Sequence, residues 1–187
     1  MSRPALARRG ARSLALAAAV LAALTASGCA SVRRALEGPP SPEPTAREGW
    51  VAYRVADLRV EAPAAWRASG DSRALTLDEP GEKGRLVVSV AETPFEDVKA
   101  CLAAAEASLE KGAAGLERVR RFPSKLAGRP AVAQEADQGA WHGWAWAVCD
   151  GGIQYRIFFT AVSTAPAEVM EVHKALLGAR LVGGATS

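Results

Sequence analysis

The sequence predicts an α+β domain, a mostly antiparallel sheet covered by two main helices. Three observations carry that prediction. Short runs of alternating or Val-rich residues recur between residues 51 and 91. Two stretches, near residues 94–112 and 166–179, place apolar residues at helical spacing. Between them Trp141–Cys149 and Ile153–Val162 flank Asp150-Gly151-Gly152, the pattern of a tight β-hairpin. Strands, a helix, more strands and a closing helix fit a sheet with helices packed on it.

Val51–Val55 and Leu58–Glu61 read as strands, and the second alternates Leu58 and Val60 against Arg59 and Glu61. Leu75–Asp78 alternates and turns at Glu79-Pro80-Gly81, and Arg85–Ala91 is a strand buried on at least one face. Thr93-Pro94-Phe95-Glu96 predicts a helix start, with Thr93 as cap and Glu96 closing a capping box. Phe95, Val98, Leu102, Ala105 and Leu109 then form an apolar stripe, with Cys101 at its edge, and Gly112 stops the helix. Leu116–Phe122 is a charged strand suited to a sheet edge, Pro123–Gly128 a turn, and Pro130–Asp137 a further strand.

In the hairpin, Trp144, Trp146 and Val148 share a face with Tyr155, Ile157 and Phe159. The opposite face carries Ala145, Ala147 and Cys149, small residues that admit a helix closely. Pro166–Ala179 is the second helix, with Val169, Val172, Leu176 and Leu177 inward and Gly178 at its end. A short run, Leu181-Val182, follows it.

Ahead of the domain, residues 1–28 read as an export leader. Arg3, Arg8, Arg9 and Arg12 precede an apolar run from Leu14 to Ala26, too short for a membrane-spanning helix. Leu24-Thr25-Ala26-Ser27-Gly28-Cys29 resembles the lipobox of bacterial lipoproteins, in which the cysteine is acylated and becomes the mature N-terminus. Cys29 is thus the expected lipidation site, and the expected partner is a membrane, held through an N-terminal lipid anchor. Ala30 after the cysteine resembles the default for the periplasmic face of the outer membrane. Residues 29–48, with Pro39, Pro40, Pro42 and Pro44, read as a tether, and residues 49–187 as one globular domain.

The formal net charge of +3 belongs to the leader, which holds four of the 23 basic residues and none of the 20 acidic ones. The 19 remaining bases against 20 acids leave the mature chain at −1. No basic patch remains, which excludes a nucleic-acid partner as a reading. With Cys29 assigned to the anchor, Cys101 and Cys149 are left as a pair in an oxidising compartment. They are either a disulfide or two buried thiols. The small-residue face carrying Cys149, open to the helix carrying Cys101, favours the disulfide.

The layout resembles the PsbP-like fold, an α/β/α sandwich shared by the extrinsic photosystem II subunit and DcrB-type bacterial envelope lipoproteins. Leu58-Arg59-Val60-Glu61-Ala62-Pro63-Ala64-Ala65-Trp66 is similar to that family's opening strand, and Leu126-Ala127-Gly128-Arg129-Pro130-Ala131 to its strand entry after the first helix. The resemblance spans roughly Trp50 to Val182. Its motifs are structural, so it implies a fold and non-enzymatic, envelope-associated roles rather than a reaction.

Catalytic patterns are thin. His142 and His173 lack companions at zinc-ligand spacing, and no Ser stands in a Gly-x-Ser-x-Gly elbow. Cys149 and His142 point to opposite strand faces. Glu135, Asp137 and Asp150 are carboxylates of the kind that cleave glycosides, but such alternation is also routine on a strand facing water. No phosphate cradle and no other cofactor motif appears. Aromatic density is the one feature with functional potential. Trp144 and Trp146 fall on the expected core face, whereas Trp141 and Phe158 lie on the other face, suited to a partly open groove. Trp141, Phe158 and His142 are therefore the candidate contact residues. The expected function is that of a tethered, non-catalytic domain binding an envelope protein or another envelope component. The alternative is a small-ligand or glycan-binding module built on the aromatic patch.

Overall fold

A computed structural model describes residues 38–91 and 94–182 of the chain. The leader, Cys29 and Thr93 lie outside the described residues. A small sheet contains β1 (Glu43–Pro44), β2 (Trp50–Val55), β3 (Leu58–Pro63) and β11 (Arg180–Leu181), in that spatial order. A larger one contains β4 (Arg67–Asp71), β5 (Ala74–Asp78), β6 (Gly84–Val90), β7 (Glu117–Leu126), β8 (Arg129–Gln138), β9 (Trp141–Asp150) and β10 (Ile153–Val162). Its order is β4-β5-β6-β10-β9-β8-β7, antiparallel throughout. Two helices, α1 (Val98–Gly112) and α2 (Ala167–Leu177), lie on opposite faces of the large sheet.

The faces differ in what covers them. One packs Leu77, Val88, Trp146, Ile157 and Phe159 against Val55, Leu58 and Val60 of the small sheet and against Val169, Val172 and Leu176 of α2. That side holds the main core. On the other, Ala105 and Leu109 of α1 meet Val132, Ala145 and Ala147, a small cluster rich in alanine. α1 lies over β8 and β9 and, less closely, β10.

The hairpin has the register its sequence implies, with Asp150 opposite Ile153, Trp146 opposite Ile157 and Trp144 opposite Phe159. Cys149 and Cys101 form a disulfide, with Cα atoms 6.0 Å apart, that ties the first turn of α1 to the end of β9. Beneath it the buried Gln154 amide donates to the Cys101 carbonyl at 3.2 Å and its oxygen accepts from Arg156 at 2.7 Å. Every polar end of this side chain therefore has a partner.

Several elements depart from the sequence reading, each for a visible reason. α1 starts later than the Thr93–Glu96 signal predicts: Asp97 is the N-cap and accepts from the Ala100 N–H at 2.7 Å. Phe95 is not part of the helical stripe, because its N–H goes to the Gly152 carbonyl at 2.6 Å. Only glycine fits at 152, since a Cβ there would lie 2.2 Å from the Phe95 oxygen. Pro123 does not break the chain: β7 runs on to Leu126, and the turn is Ala127-Gly128, both at positive φ. A proline is tolerated there because β7 is an edge strand. Leu177 faces solvent at 58% exposure rather than the core.

The segment read as the end of a tether joins the folded body. Glu43–Pro44 pairs with β2, the Thr45 hydroxyl lies 3.1 Å from the Trp50 carbonyl, and Arg47 sits 3.7 Å over the Trp50 ring while pairing with Glu171. These contacts use Thr and Arg where the prolines suggested a solvated chain.

Candidate functional site

The open side of the large sheet is where side chains stand available to a ligand. Strand alternation places Trp141 of β9 and Phe158 and Thr160 of β10 on the face that α1 covers only in part. Phe158 is 41% exposed and Trp141 is half-buried. Gly143, between Trp141 and Ala145, leaves the floor low beside Thr160. The last turns of α1, with Leu109 and Gly112, and Leu116 after it form the wall. The result is a cavity of about 350 Å³, mostly apolar, whose polar lining residues are Ser108, Gln134, Asp137, Gln138 and Thr160. Its size lies at the lower end for small-molecule sites.

A second depression of about 470 Å³ adjoins it and shares Gln138, Trp141 and Thr160. Its other lining comes from β4, β5, β6 and the β5–β6 turn: Arg67, Asp78, Glu82 and Arg85. Arg85 pairs with Asp78. Trp141 thus stands at the junction of an apolar hollow and a charged one.

His142, the third candidate, is on the opposite face and does not join Trp141 and Phe158. Its Nδ1 lies 2.6 Å from Asp137, whose carboxylate also accepts from Arg118. The His142 hydrogen bond first, and then Arg118, hold the Asp137 carboxyl below its ordinary range. Trp144 meets the His142 ring edge-on at 4.1 Å and stacks on His173 at 4.4 Å. Among the described residues the only side chain hydrogen-bonded to the His142 ring is Asp137. The arrangement orients an imidazole with no hydroxyl or thiol nucleophile hydrogen-bonded to it.

The three carboxylates of the glycosidase pattern do not converge on a shared cleft. Asp137 has its His and Arg partners, Glu135 pairs with Arg120 at 3.9 Å, and Asp150 with Arg129 at 2.8 Å. Among the described residues no three His, Cys, Asp or Glu side chains gather as a metal site would require. Cys101 and Cys149 are consumed by their disulfide.

His173 yields a prediction about pH. It is half-buried, stacked near Trp144, Trp146 and Phe159, and burial pushes its pKa below the ordinary value near 6.5. Glu135 pulls it upward and His142 pushes it further down. The unfolded chain therefore takes up this proton before the folded one does. Stability from this source is level above about pH 6.5 and declines as pH falls below it. In His173→Phe, the slope of unfolding free energy between about pH 6.5 and 5 flattens, as denaturant melts at several pH values will show.

No protein-family model matches the chain, and no curated protein matches it in sequence. Among solved structures, the cyanobacterial PsbP protein CyanoP of Synechocystis is similar over 75% of this chain and 97% of its own, with 11% identity and a TM-score of 0.53. A Bacteroides thetaiotaomicron protein is similar over 73% of this chain, with 13% identity and a TM-score of 0.49, and this chain spans about half (49%) of its length. LpqN of Mycobacterium tuberculosis, described as involved in cell envelope biogenesis, is similar over 76% of this chain and 90% of its own, with 13% identity and a TM-score of 0.42. The likeness to CyanoP is one of fold: the chain has a PsbP-like, α+β architecture, as the sequence implies.

Proposed function

We propose that this chain is a lipid-anchored, non-catalytic binding domain of a bacterial cell envelope. Its ligand-facing surface is the side of the large sheet that α1 half covers. The observation that carries this reading is the groove at Trp141 and Phe158. In it, large aromatic side chains stay partly exposed beside polar groups, whereas their strand neighbours Ala145 and Phe159 are buried. Exposed aromatics next to hydrogen-bonding groups are what a recognition surface needs. The three carboxylates of the glycosidase pattern, by contrast, are held in ion pairs, and Cys101 and Cys149 in the disulfide. Support for the location comes from the arginine-rich leader, the apolar run and the lipobox ending at Cys29. An acyl anchor on Cys29 holds the domain near one membrane, and an envelope component is then within reach.

Replacing Cys29 tests the anchoring directly. In Cys29→Ala the unprocessed precursor accumulates and lipid labelling is lost, with the wild type fractionating with outer-membrane markers. Unchanged processing and unchanged lipid labelling in the variant would remove the anchor from this account.

A further inference from the structure

We infer that the groove at Trp141 receives a neutral oligosaccharide, an inference resting on the reading of this face as the binding face. The apolar hollow and the charged one meet at Trp141, Gln138 and Thr160, so one occupant spans both. At some 350 and 470 Å³, each is itself of small-ligand size, and together they suit a chain of units rather than one.

The charged hollow selects by balance. It presents two guanidinium groups, Arg67 and Arg85, and two carboxylates, Asp78 and Glu82. An anion meets the carboxylates and competes for an Arg85 already paired to Asp78, and a cation meets both guanidinium groups. A purely apolar occupant strips water from four charges and offers nothing in return. Polypeptide backbone recognition by strand addition uses an unpaired strand edge. Arg67 does come from the edge strand β4, but Arg85, Trp141 and Thr160 belong to interior strands and line a face, where no strand can be added.

Sugar hydroxyls both donate and accept. They match guanidinium donors, carboxylate acceptors, the Gln138 amide, which does both, and the Thr160 hydroxyl. The C–H face of a pyranose ring is apolar and fits the indole of Trp141 and the ring of Phe158. An apolar stacking platform continuous with a charge-balanced, hydrogen-bonding floor is the pairing that a carbohydrate satisfies.

The test uses the full processed chain in lipid nanodiscs, titrated with cellotetraose, chitotetraose and maltotetraose and read by calorimetry and tryptophan fluorescence. At least one tetrasaccharide binds with a Kd below about 1 mM, and its monosaccharide binds at least about tenfold more weakly. Trp141→Ala weakens that binding at least about tenfold, while Trp141→Phe, which keeps a platform, retains most of it. Arg67→Ala weakens it too, and added salt changes it little. No heat or fluorescence change with any tetrasaccharide overturns the inference. So does binding of decanoate or of a short acidic peptide in their place, or a Kd unchanged in Trp141→Ala. A photo-cross-linking residue at position 158 that still captures an envelope component in cells while all sugars fail would show that the sugar class is wrong and the face right. Loss of both results would remove the face as well.

Discussion

Breaking the Cys101–Cys149 bond will lower stability by about 4 kcal/mol, the chain-entropy value for a loop of this length. The two cysteines are separated by 48 residues, and both are fully buried. For a domain of this size the melting temperature falls by roughly 8–16 °C. Cys101→Ala with Cys149→Ala, and reduction of the wild type, each make the measurement, and a calorimetric scan reads it. The loss will not be uniform. α1 is held to the sheet by a cluster that is largely alanine, Ala105, Val132, Ala145 and Ala147 with Leu109. Without the bond, amide exchange in α1 accelerates more than exchange in β6 or β10, whose inner faces belong to the main core. Because Leu109 and Leu116 wall the groove, ligand binding weakens with it. A reduced protein with an unchanged melting temperature and unchanged α1 protection would contradict this role.

Two adjacent phenylalanines on β10 give the second large effect. Phe159 is fully buried and stacks on Trp144 at 5.6 Å, whereas Phe158 is 41% exposed in the groove. Phe159→Ala leaves a cavity at the centre of the main core and costs about 3–5 kcal/mol. Phe158→Ala removes a ring already half in water and costs under about 1 kcal/mol. Binding responds in the opposite sense: Phe158→Ala loses ligand while remaining folded. Denaturant unfolding of both variants checks the contrast. Equal costs would mean that the strand does not hold the register with Trp144 opposite Phe159.

That contrast was legible in the sequence, because a two-residue turn after Asp150 sets the parity of every side chain from Trp141 to Val162. Parity also assigned Cys149 to the face that meets α1, and the disulfide follows. Trp141 and Phe158 were identifiable on the same ground. The rest of the groove was not. Arg67, Asp78 and Arg85 come from strands, and Glu82 from a turn, more than 50 residues earlier, and they reach Trp141 only because β6 pairs with β10. Hydrophobic periodicity carries no information about strand order.

β4 was missed because Arg67-Ala68-Ser69-Gly70-Asp71 lacks an apolar face, which an edge strand does not need. β1 was missed because Glu43-Pro44 is held by pairing with β2 and by the Glu43–Arg54 ion pair, in a proline-rich segment that reads as solvated chain. The small sheet is completed by Leu181 returning beside Leu58, a long-range pairing invisible in either segment alone. His142 follows Trp141 in sequence, and strand alternation places the two on opposite faces.

The most direct test of the central claim is site-specific photo-cross-linking in living cells. A photoreactive residue at position 158 is compared with one at position 177, an exposed site on α2 across the large sheet. An adduct with an envelope component that forms from position 158, is absent from position 177 and fails in the Cys29→Ala background is the predicted result. Adducts from position 177 alone, or equal adducts from both, would contradict a binding face at Trp141 and Phe158.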